Sequence, residues 1–216
     1  MKDVVIYGAG GFGREVASLL KRINKVTPTW NLLGFVDDDL ENKPIGSSNE
    51  YGIILGNSEY LNRVSEPLSV ILALGKPKHL KNAYGKITNT LIEFPNIIAP
   101  EATILDWDNF SMGKGNILCS FTSMSCNVRL GDFNVFNNRC SVGHDATIGD
   151  FNTFMTASRI SGSTKIGTLN FFGVSAIVLP ELVVGTGVTI AAGAVLMKKT
   201  KDNALYIGNP AKKFEF

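Results

Sequence analysis

The sequence is poor in the residue types that most often build metal centres and disulfide frameworks. Its 216 residues include two histidines, His79 and His144, and three cysteines, an odd number that fits no zinc-ligand spacing. We therefore interpret Cys119, Cys126 and Cys140 as free thiols, as a reducing cytoplasm favours. A zinc site with three histidine ligands is excluded because the chain has too few histidines, and we predict no metal.

Strong charge and long apolar runs are also missing. The net charge of +2 argues against strong non-specific binding to nucleic acid, which usually needs clustered positive charge. No apolar stretch approaches the ~18 residues that a membrane span needs. The opening residues, MKDVVIYG, run straight into a predicted strand and do not resemble a signal peptide. We therefore expect a cytoplasmic globular protein that binds no nucleic acid and spans no membrane.

An internal repeat dominates the second half of the chain. Residues 131–152 begin and end with the same four letters, GDFN, eighteen residues apart. Stepping by six residues from Met112 to Ile190 meets fourteen positions, and all fourteen are apolar. At 44% hydrophobic composition, chance would give this about once in 10^5 trials for one chosen register.

A period of six matches neither the 3.6 residues of a helical turn nor the alternation of a hairpin strand. It is typical of a short strand followed by a corner, with one large side chain pointing inward on each side. Three sides close a triangular coil, and successive coils should stack ~4.8 Å apart. We therefore predict an all-β, parallel β-helix with a C-terminal tail over residues 97–216, in which each coil is stabilised by its neighbours.

The first part of the chain is of another kind. The stretch VVIYGAGGFGREVASLLKRI is typical of a strand, a glycine turn and an amphipathic helix, and Gly8, Gly10 and Gly13 have the G-x-G-x-x-G spacing. Such a turn lets backbone N–H groups and a helix N-terminus approach a phosphate. A strand at LLGFV leads to Asp37 and Asp38, whose carboxylates can accept hydrogen bonds from a ribose or base. Further strands near YGIILG and LSVILALG and a helix near KHLKNAYGKI complete a small α/β domain, residues 1–96.

Two ligand hypotheses follow for this domain. A full dinucleotide fold needs two such halves, and the repeats leave room for barely one. A nucleotide-linked ligand therefore fits better than NAD. A glycine turn that serves only tight packing is the remaining alternative.

Together the two segments resemble bacterial sugar acetyltransferases of the UDP-4-amino-sugar N-acetyltransferase and sialic acid O-acetyltransferase type. The matching stretches are GAGGFGREV, GFVDDD, LALG, VGHDATIGD, the ISG of residues 160–162 and GNPAK. The resemblance implies a Rossmann-like half domain followed by hexapeptide repeats coiled into a left-handed β-helix. The period alone gives no hand. The resemblance also implies that the first domain binds a sugar nucleotide, through Gly10, Gly11, Phe12, Asp37, Asp38 and Gly75.

His144 lies two residues after the inward-facing Val142, so its side chain should project from the coil. A histidine, with an unperturbed pKa of ~6.5, can accept a proton near neutral pH. Acetyl transfer needs such a group because an amine or hydroxyl becomes a competent nucleophile only as its proton leaves. The resemblance implies that His144 is the general base and that the adjacent Asp145 supports it. It implies acetyl-CoA as the donor substrate.

The resemblance also places residues along the donor. Gly162, one coil beyond His144, would stabilise an oxyanion through its backbone N–H. Val174 and Ala192 would line the pantetheine path. Thr153 stands where some relatives have a second histidine that contacts the cofactor, and its hydroxyl can donate a hydrogen bond.

A homotrimer with active sites between subunits is a further implication of the resemblance, although the sequence alone allows a dimer equally. Phe133, Phe151 and Phe171 should lie on outward faces, where they would need to be covered by a neighbouring subunit or by the first domain.

The expected reaction is transfer of an acetyl group to the amine of a nucleotide-linked amino sugar. O-acetylation of a sugar hydroxyl, such as that of sialic acid, stays open because none of the named residues distinguishes the two acceptors. A non-catalytic nucleotide-binding β-helix protein is the third possibility. Such a protein would keep the apolar register but would have no need of the pair His144 and Asp145.

Overall fold

The computed structural model describes residues 1–215 and contains two compact units, Met1–Pro95 and Asn96–Phe216. The sequence places the domain boundary after residue 96. Phe216, the last residue of the predicted second domain, lies outside the described residues. Within residues 1–215 no helix is both long enough and apolar enough to cross a membrane.

The first unit is a mainly parallel sheet with helices. In chain order its elements are β1 (Lys2–Tyr7), α1 (Gly11–Val26), β2 (Trp30–Val36), β3 (Ser48–Asn49), β4 (Gly52–Gly56), α2 (Ser58–Arg63), β5 (Leu68–Leu72), α3 (Pro77–Lys86) and β6 (Ile92–Glu93). The strand order is β3-β4-β2-β1-β5-β6, and only the β3–β4 pair is antiparallel. The strands β3 and β6 and the helix α2 were not expected from the sequence, because two to six residues carry no clear periodicity.

Burial explains the order of the strands. Val4, Val5 and Ile6 of β1 are fully buried at the centre of the sheet, and all five residues of β5 are buried beside them. The chain order reverses between β1 and β5, which are neighbours in the sheet. In open parallel sheets, ligands bind beyond the carboxyl ends of the strands at such a point. A ligand site is therefore expected among the residues that follow β1, β2 and β5.

The second unit is a parallel β-helix with three faces, which we call sheets I, II and III. Sheet I contains β7 (Ile97–Ile98), β10 (Ile117–Leu118), β13 (Val135–Phe136), β16 (Thr153–Phe154), β19 (Phe171–Phe172), β22 (Thr189–Ile190), β24 (Leu205–Ile207) and the antiparallel β25 (Lys212–Phe214). Sheet II contains β8 (Thr103–Ile104), β11 (Ser123–Met124), β14 (Ser141–Val142), β17 (Arg159–Ile160), β20 (Ile177–Val178) and β23 (Val195–Leu196). Sheet III contains β9 (Ser111–Met112), β12 (Arg129–Leu130), β15 (Thr147–Ile148), β18 (Lys165–Ile166) and β21 (Val183–Val184).

Residues eighteen apart pair in parallel, for example Leu130 with Ile148 and Val142 with Ile160. Of the fourteen positions of the six-residue register, thirteen are buried in one core, and Met112 packs partly buried against it. The rings of Phe136, Phe154 and Phe172 stack along the axis, with centroids 4.4 and 4.5 Å apart. The predicted coil and its register are thus the ones observed.

Buried asparagines form a ladder along the corner that joins sheet III to sheet I. The Oδ1 atom of Asn116 accepts a hydrogen bond from the N–H of Asn134 at 2.9 Å, and Asn134 accepts one from the N–H of Asn152 at 3.0 Å. Asn152 and Asn170 continue the series. All four side chains are fully buried, so each gives a buried backbone N–H the partner it needs. Asn134 and Asn152 are the fourth letters of the two GDFN repeats.

The phenylalanines of GDFN are less exposed than the sequence suggests. The ring of Phe133 stacks on that of Phe151, with centroids 5.1 Å apart, and Phe133 is only 1% exposed. A side chain at Gly115, one coil below, would overlap the Phe133 ring, so the missing side chain leaves space for this ring. The prediction that Phe133 lies on an outward face in need of cover is therefore wrong, whereas Phe151 and Phe171 are half-buried.

Replacing Asn134 tests the ladder. Asn134→Ala leaves the N–H of Asn152 buried without its acceptor, so we expect the free energy of unfolding to fall by about 2 kcal/mol. The control is the exposed Asn138, in the next corner along the chain. Asn138→Ala should change the free energy of unfolding by less than about 0.5 kcal/mol. Denaturant unfolding measures both values. Equal effects of the two substitutions would show that the ladder contributes nothing specific.

Candidate active site

His144 projects from the corner that joins β14 of sheet II to β15 of sheet III, and 64% of its side chain is exposed. Its Nδ1 atom lies 2.7 Å from Oδ2 of Asp145. Because an ionised carboxylate can only accept, a neutral imidazole that keeps this hydrogen bond carries its proton on Nδ1. The lone pair is then on Nε2. The geometry therefore presents an outward-facing proton acceptor.

Asp145 is held ionised by its neighbours. The hydrogen bond with His144 lowers the pKa of the Asp145 carboxyl most, and the hydrogen bond with Asn127 is the second-largest cause. The Nδ2 atom of Asn127 donates to Oδ1 of Asp145 at 3.1 Å. Asn127 was not predicted as a site residue, although the eighteen-residue period places it directly one coil below Asp145.

Gly162 occupies the same corner one coil above His144. A Cβ atom at this position would lie 2.6 Å from Nε2 and 2.7 Å from Cε1 of the imidazole, so the ring lies over the glycine and leaves no room for a side chain. Within residues 1–215 the N–H of Gly162 donates no hydrogen bond. A free backbone donor therefore lies beside the imidazole.

The free N–H of Gly162 has a local cause. At the corresponding place in the corner between sheets III and I, the N–H of Asp132 donates to the side chain of Asp150, one coil above, at 2.8 Å. One coil above Gly162 stands Pro180, which offers no side-chain acceptor. The side-chain cap found in the corner between sheets III and I is thus missing at Gly162, in the corner between sheets II and III.

The remaining residues expected along the donor do not lie with His144. Thr153 is fully buried on β16, and its Oγ1 has no partner among the described residues. The Thr153 hydroxyl therefore lies inside the chain, and its hydrogen bond to the cofactor stays a prediction. Val174 and Ala192 are exposed one coil apart at the corner between sheets I and II. The width of sheet II separates them from His144.

In the first unit the four glycines of the loop after β1 divide into two classes. Gly8 has a φ of 109°, and a Cβ atom there would lie 2.7 Å from the carbonyl oxygen of Ala73. A side chain at Gly13 would overlap the carbonyl oxygen of Gly8. Packing requires both residues to be glycine. Gly10 and Gly11 are exposed, and an added Cβ would meet no atom within 4 Å, so packing does not explain them.

Gly75 and Phe12 complete the set of predicted loop residues. Gly75 is exposed between β5 and α3, and an added Cβ there would also meet no atom within 4 Å. Phe12 is half-buried in the first turn of α1. These residues follow the carboxyl ends of β5 and β1, the two strands between which the sheet order reverses.

Asp37 accepts three hydrogen bonds within its own unit. Its Oδ2 accepts hydrogen bonds from the N–H of Ala9 at 2.8 Å and from Nζ of Lys43 at 2.9 Å, and its Oδ1 accepts one from the N–H of Asp39 at 3.0 Å. Burial raises the pKa of Asp37, but these hydrogen bonds outweigh it, and the pKa is lowered overall. Asp37 therefore fixes the glycine loop, and its contact with a ribose or base stays a prediction.

Asp38 lies at the rim of the same edge. Its Oδ2 accepts hydrogen bonds from the Tyr7 hydroxyl at 2.7 Å and from Lys86, and its Oδ1 accepts the N–H of Ser58 at 2.9 Å. Although burial raises the pKa of Asp38, the bonds from Lys86 and Tyr7 lower it to about 2. Sequence reasoning missed Lys86 because it ends α3, 48 residues further along the chain.

The cysteines and acidic groups form no further centre. The three cysteines are free, as expected, and burial raises the pKa of Cys140 to about 12. Across the part of the chain that the structure describes, no cluster of three or more histidine, cysteine or acidic side chains could hold a metal ion.

Comparison with known proteins places this geometry in context. Residues 3–87 match the family model of the PglD N-terminal domain. No curated protein matches the chain. The acetyltransferase domain of PglB from Neisseria gonorrhoeae, solved in complex with acetyl coenzyme A, is 27% identical over 99% of both chains, with a TM-score of 0.86.

Two further structures are similar over the whole chain. WeeI from Acinetobacter baumannii is 25% identical over 99% of this chain and 100% of its own, with a TM-score of 0.83. PerB from Caulobacter crescentus, solved in complex with CoA and GDP-perosamine, is 23% identical over 100% of this chain and 98% of its own, with a TM-score of 0.86. The matches confirm the resemblance to left-handed β-helix sugar acetyltransferases, the fold class and the expected enzyme class, an acyltransferase.

Replacing Asp37 tests its role in fixing the glycine loop. Asp37→Asn removes the negative charge to which Lys43 and two backbone N–H groups donate hydrogen bonds. We therefore expect the free energy of unfolding of the first unit to fall by about 2 kcal/mol. Asp39→Asn is the control, because 45% of the Asp39 side chain is exposed. It should lower the free energy of unfolding by less than about 0.5 kcal/mol. In a Trp107→Phe background, the fluorescence of Trp30 reports the first unit alone.

The pH dependence adds a second check. Because folding lowers the pKa of Asp37, its stabilisation is present above the unfolded value of about 3.9 and is lost as the pH falls below it. The difference between the Asp37→Asn variant and the original chain should therefore shrink at acidic pH. A difference that is small at pH 7, or that grows towards low pH, would contradict the role.

Proposed function

We propose that this chain, an acyltransferase of the left-handed β-helix type, transfers an acetyl group from acetyl-CoA to the amine of a nucleotide-linked amino sugar of the UDP-4-amino-sugar type. The observation that carries the proposal is the His144 corner, where a proton acceptor oriented by Asp145 lies beside the free N–H of Gly162. Support comes from PglB, solved with acetyl coenzyme A, and from PerB, solved with CoA and GDP-perosamine.

In the proposed reaction Nε2 of His144 accepts the proton of the acceptor amine as its nitrogen forms a bond with the thioester carbon. The carbonyl oxygen gains negative charge, and the N–H of Gly162 is the donor available to stabilise it. The carbon–sulfur bond then breaks, and the imidazolium returns the proton to the sulfur of CoA. Asp145, ionised and hydrogen-bonded to Nδ1, stabilises the imidazolium between the two steps.

In this proposal Val174 and Ala192 line the pantetheine arm of the donor. If both line the pantetheine arm while the thioester reaches Gly162, the arm crosses the outer face of sheet II past β20. Thr153 lies buried on sheet I, and its contact with the donor stays a prediction.

The first unit supplies the acceptor site in this proposal. Gly10 and Gly11, open at the N-terminus of α1, allow a diphosphate to approach backbone N–H groups, with Phe12 and Gly75 beside them. Asp38 and its partner Lys86 lie at the solvent-exposed rim. Asp37 acts by holding the loop in shape. A nucleotide sugar suits this single α/β half better than NAD does, and its acetylated product would enter glycan biosynthesis.

The decisive assay incubates the protein with acetyl-CoA and a panel of nucleotide amino sugars, hydroxyl-bearing nucleotide sugars and sialic acids, and detects products by mass spectrometry. We expect acetylation of an amine. Transfer only to hydroxyls would favour the O-acetyltransferase alternative, and a protein that binds a nucleotide sugar but transfers nothing would favour the non-catalytic one.

Two histidine variants test the base. His144→Ala should lower kcat by at least about 10²-fold, the usual scale for losing a general base, while the exposed side chain leaves the melting temperature unchanged. His79→Ala, at the only other histidine, is the matched control and should behave like the original chain. If the His144→Ala variant kept the kcat of the original chain, His144 would not be the general base.

We also propose a homotrimer with active sites between subunits. The His144 side chain stands on a convex corner, whereas ligand sites are concave and exclude water, so a neighbouring β-helix would supply the missing wall. Light scattering should give a mass near three times 23.3 kDa, about 70 kDa. An active monomer at the assay concentration would rule out shared sites.

A further inference from the structure

Asp145 lies in a column of corner residues that share one backbone conformation. Asn127, Asp145 and Ser163 are each one coil apart, with φ values of 57°, 58° and 56°. The N–H of Asp145 donates to the carbonyl oxygen of Cys126 at 2.9 Å, so its backbone is fixed to the coil below. Its side chain is 52% exposed, and packing alone does not fix it.

Hydrogen bonds hold the Asp145 carboxylate from two sides. Oδ2 pairs with Nδ1 of His144 at 2.7 Å, and Oδ1 accepts from Nδ2 of Asn127 at 3.1 Å. Ser163, on the opposite side of Asp145, makes no side-chain hydrogen bond within residues 1–215. The amide of Asn127 is therefore the contact that orients the plane of the carboxylate towards the imidazole.

We infer that Asn127 is a positioning residue of the acetyl transfer, whose amide holds Asp145 so that the neutral His144 keeps its proton on Nδ1 and leaves Nε2 free. The inference rests on the proposed function of His144 as the base. Which nitrogen of a histidine carries the proton is set by the hydrogen bond that the other ring position makes. Without Asn127 the exposed carboxylate can rotate towards water, and the tautomer with its proton on Nε2 becomes populated. In that tautomer Nε2 cannot accept a proton from the acceptor amine.

A purely conformational reason for asparagine must be separated from this role. Asparagine tolerates the left-handed backbone better than most residues, so a φ of 57° alone favours it. Asn127→Gly keeps that backbone conformation accessible and removes the side chain with its amide. Asn127→Asp keeps the shape and replaces the donor by a second carboxylate facing Asp145. Ser163→Gly removes a side chain from the same column at the same φ and is the matched control.

The experiment measures the tautomer directly. Nitrogen-15 NMR of the imidazole ring distinguishes protonated Nδ1 from protonated Nε2, and a His79→Gln background leaves His144 as the single histidine. We expect the Nδ1-protonated form of neutral His144 to dominate in that background and in Ser163→Gly. Both Asn127 variants should shift the population towards protonated Nε2, with an unchanged melting temperature for Asn127→Gly.

Kinetics supply the second measurement. We expect Asn127→Gly to lower kcat about tenfold at nearly unchanged KM, because a misplaced base reacts poorly while binding is untouched. Ser163→Gly should keep the original kcat. An unchanged tautomer, an unchanged kcat, or a fall in kcat with no change of tautomer would each overturn the inference. Original turnover in His144→Ala would instead overturn the proposed function, so the two failures are distinguishable.

Discussion

Hydrogen bonding and stacking between residues eighteen apart hold the second unit together. A strand of two residues has no stability of its own, so each coil depends on the one below and the one above. Inside, one apolar side chain per strand stacks on its counterpart in the next coil. At one corner the buried asparagines pass a hydrogen bond from coil to coil. Any function that this unit carries must be built without disturbing that repeat.

The candidate site satisfies this condition within a single corner of the coil. Where Asp132 has its N–H capped by the side chain of Asp150, Gly162 has Pro180 above it and keeps its N–H free. The same absence of a side chain at Gly162 leaves space for the imidazole of His144. A proton acceptor and a hydrogen-bond donor thus come together through the ordinary spacing of the coil. The first unit combines packing and access in a similar way. Gly8 and Gly13 are required by packing, and the backbone at the neighbouring Gly10 and Gly11 stays open.

The parts of the structure that follow a period could be predicted from the sequence. The six-residue register gave the coils and their core, and the outward projection of His144 follows from its place two residues after Val142. The period would equally have paired Asn127 with Asp145, which the sequence analysis overlooked. Contacts that depend on distant chain segments could not be read in this way. The burial of Thr153 and the pairing of Asp38 with Lys86 are of that kind, since no local pattern records them.

The central claim is that acetyl transfer from the donor to the acceptor takes place at the His144 corner. A crystal structure with a non-hydrolysable acetyl-CoA analogue and a nucleotide amino sugar tests it most directly. We predict the sugar amine within about 2.6–3.2 Å of Nε2 of His144. The carbonyl oxygen of the analogue should lie about 2.7–3.1 Å from the nitrogen of Gly162. Both ligands bound at full occupancy, with the amine and the carbonyl remote from this corner and His144 facing only solvent, would contradict the account.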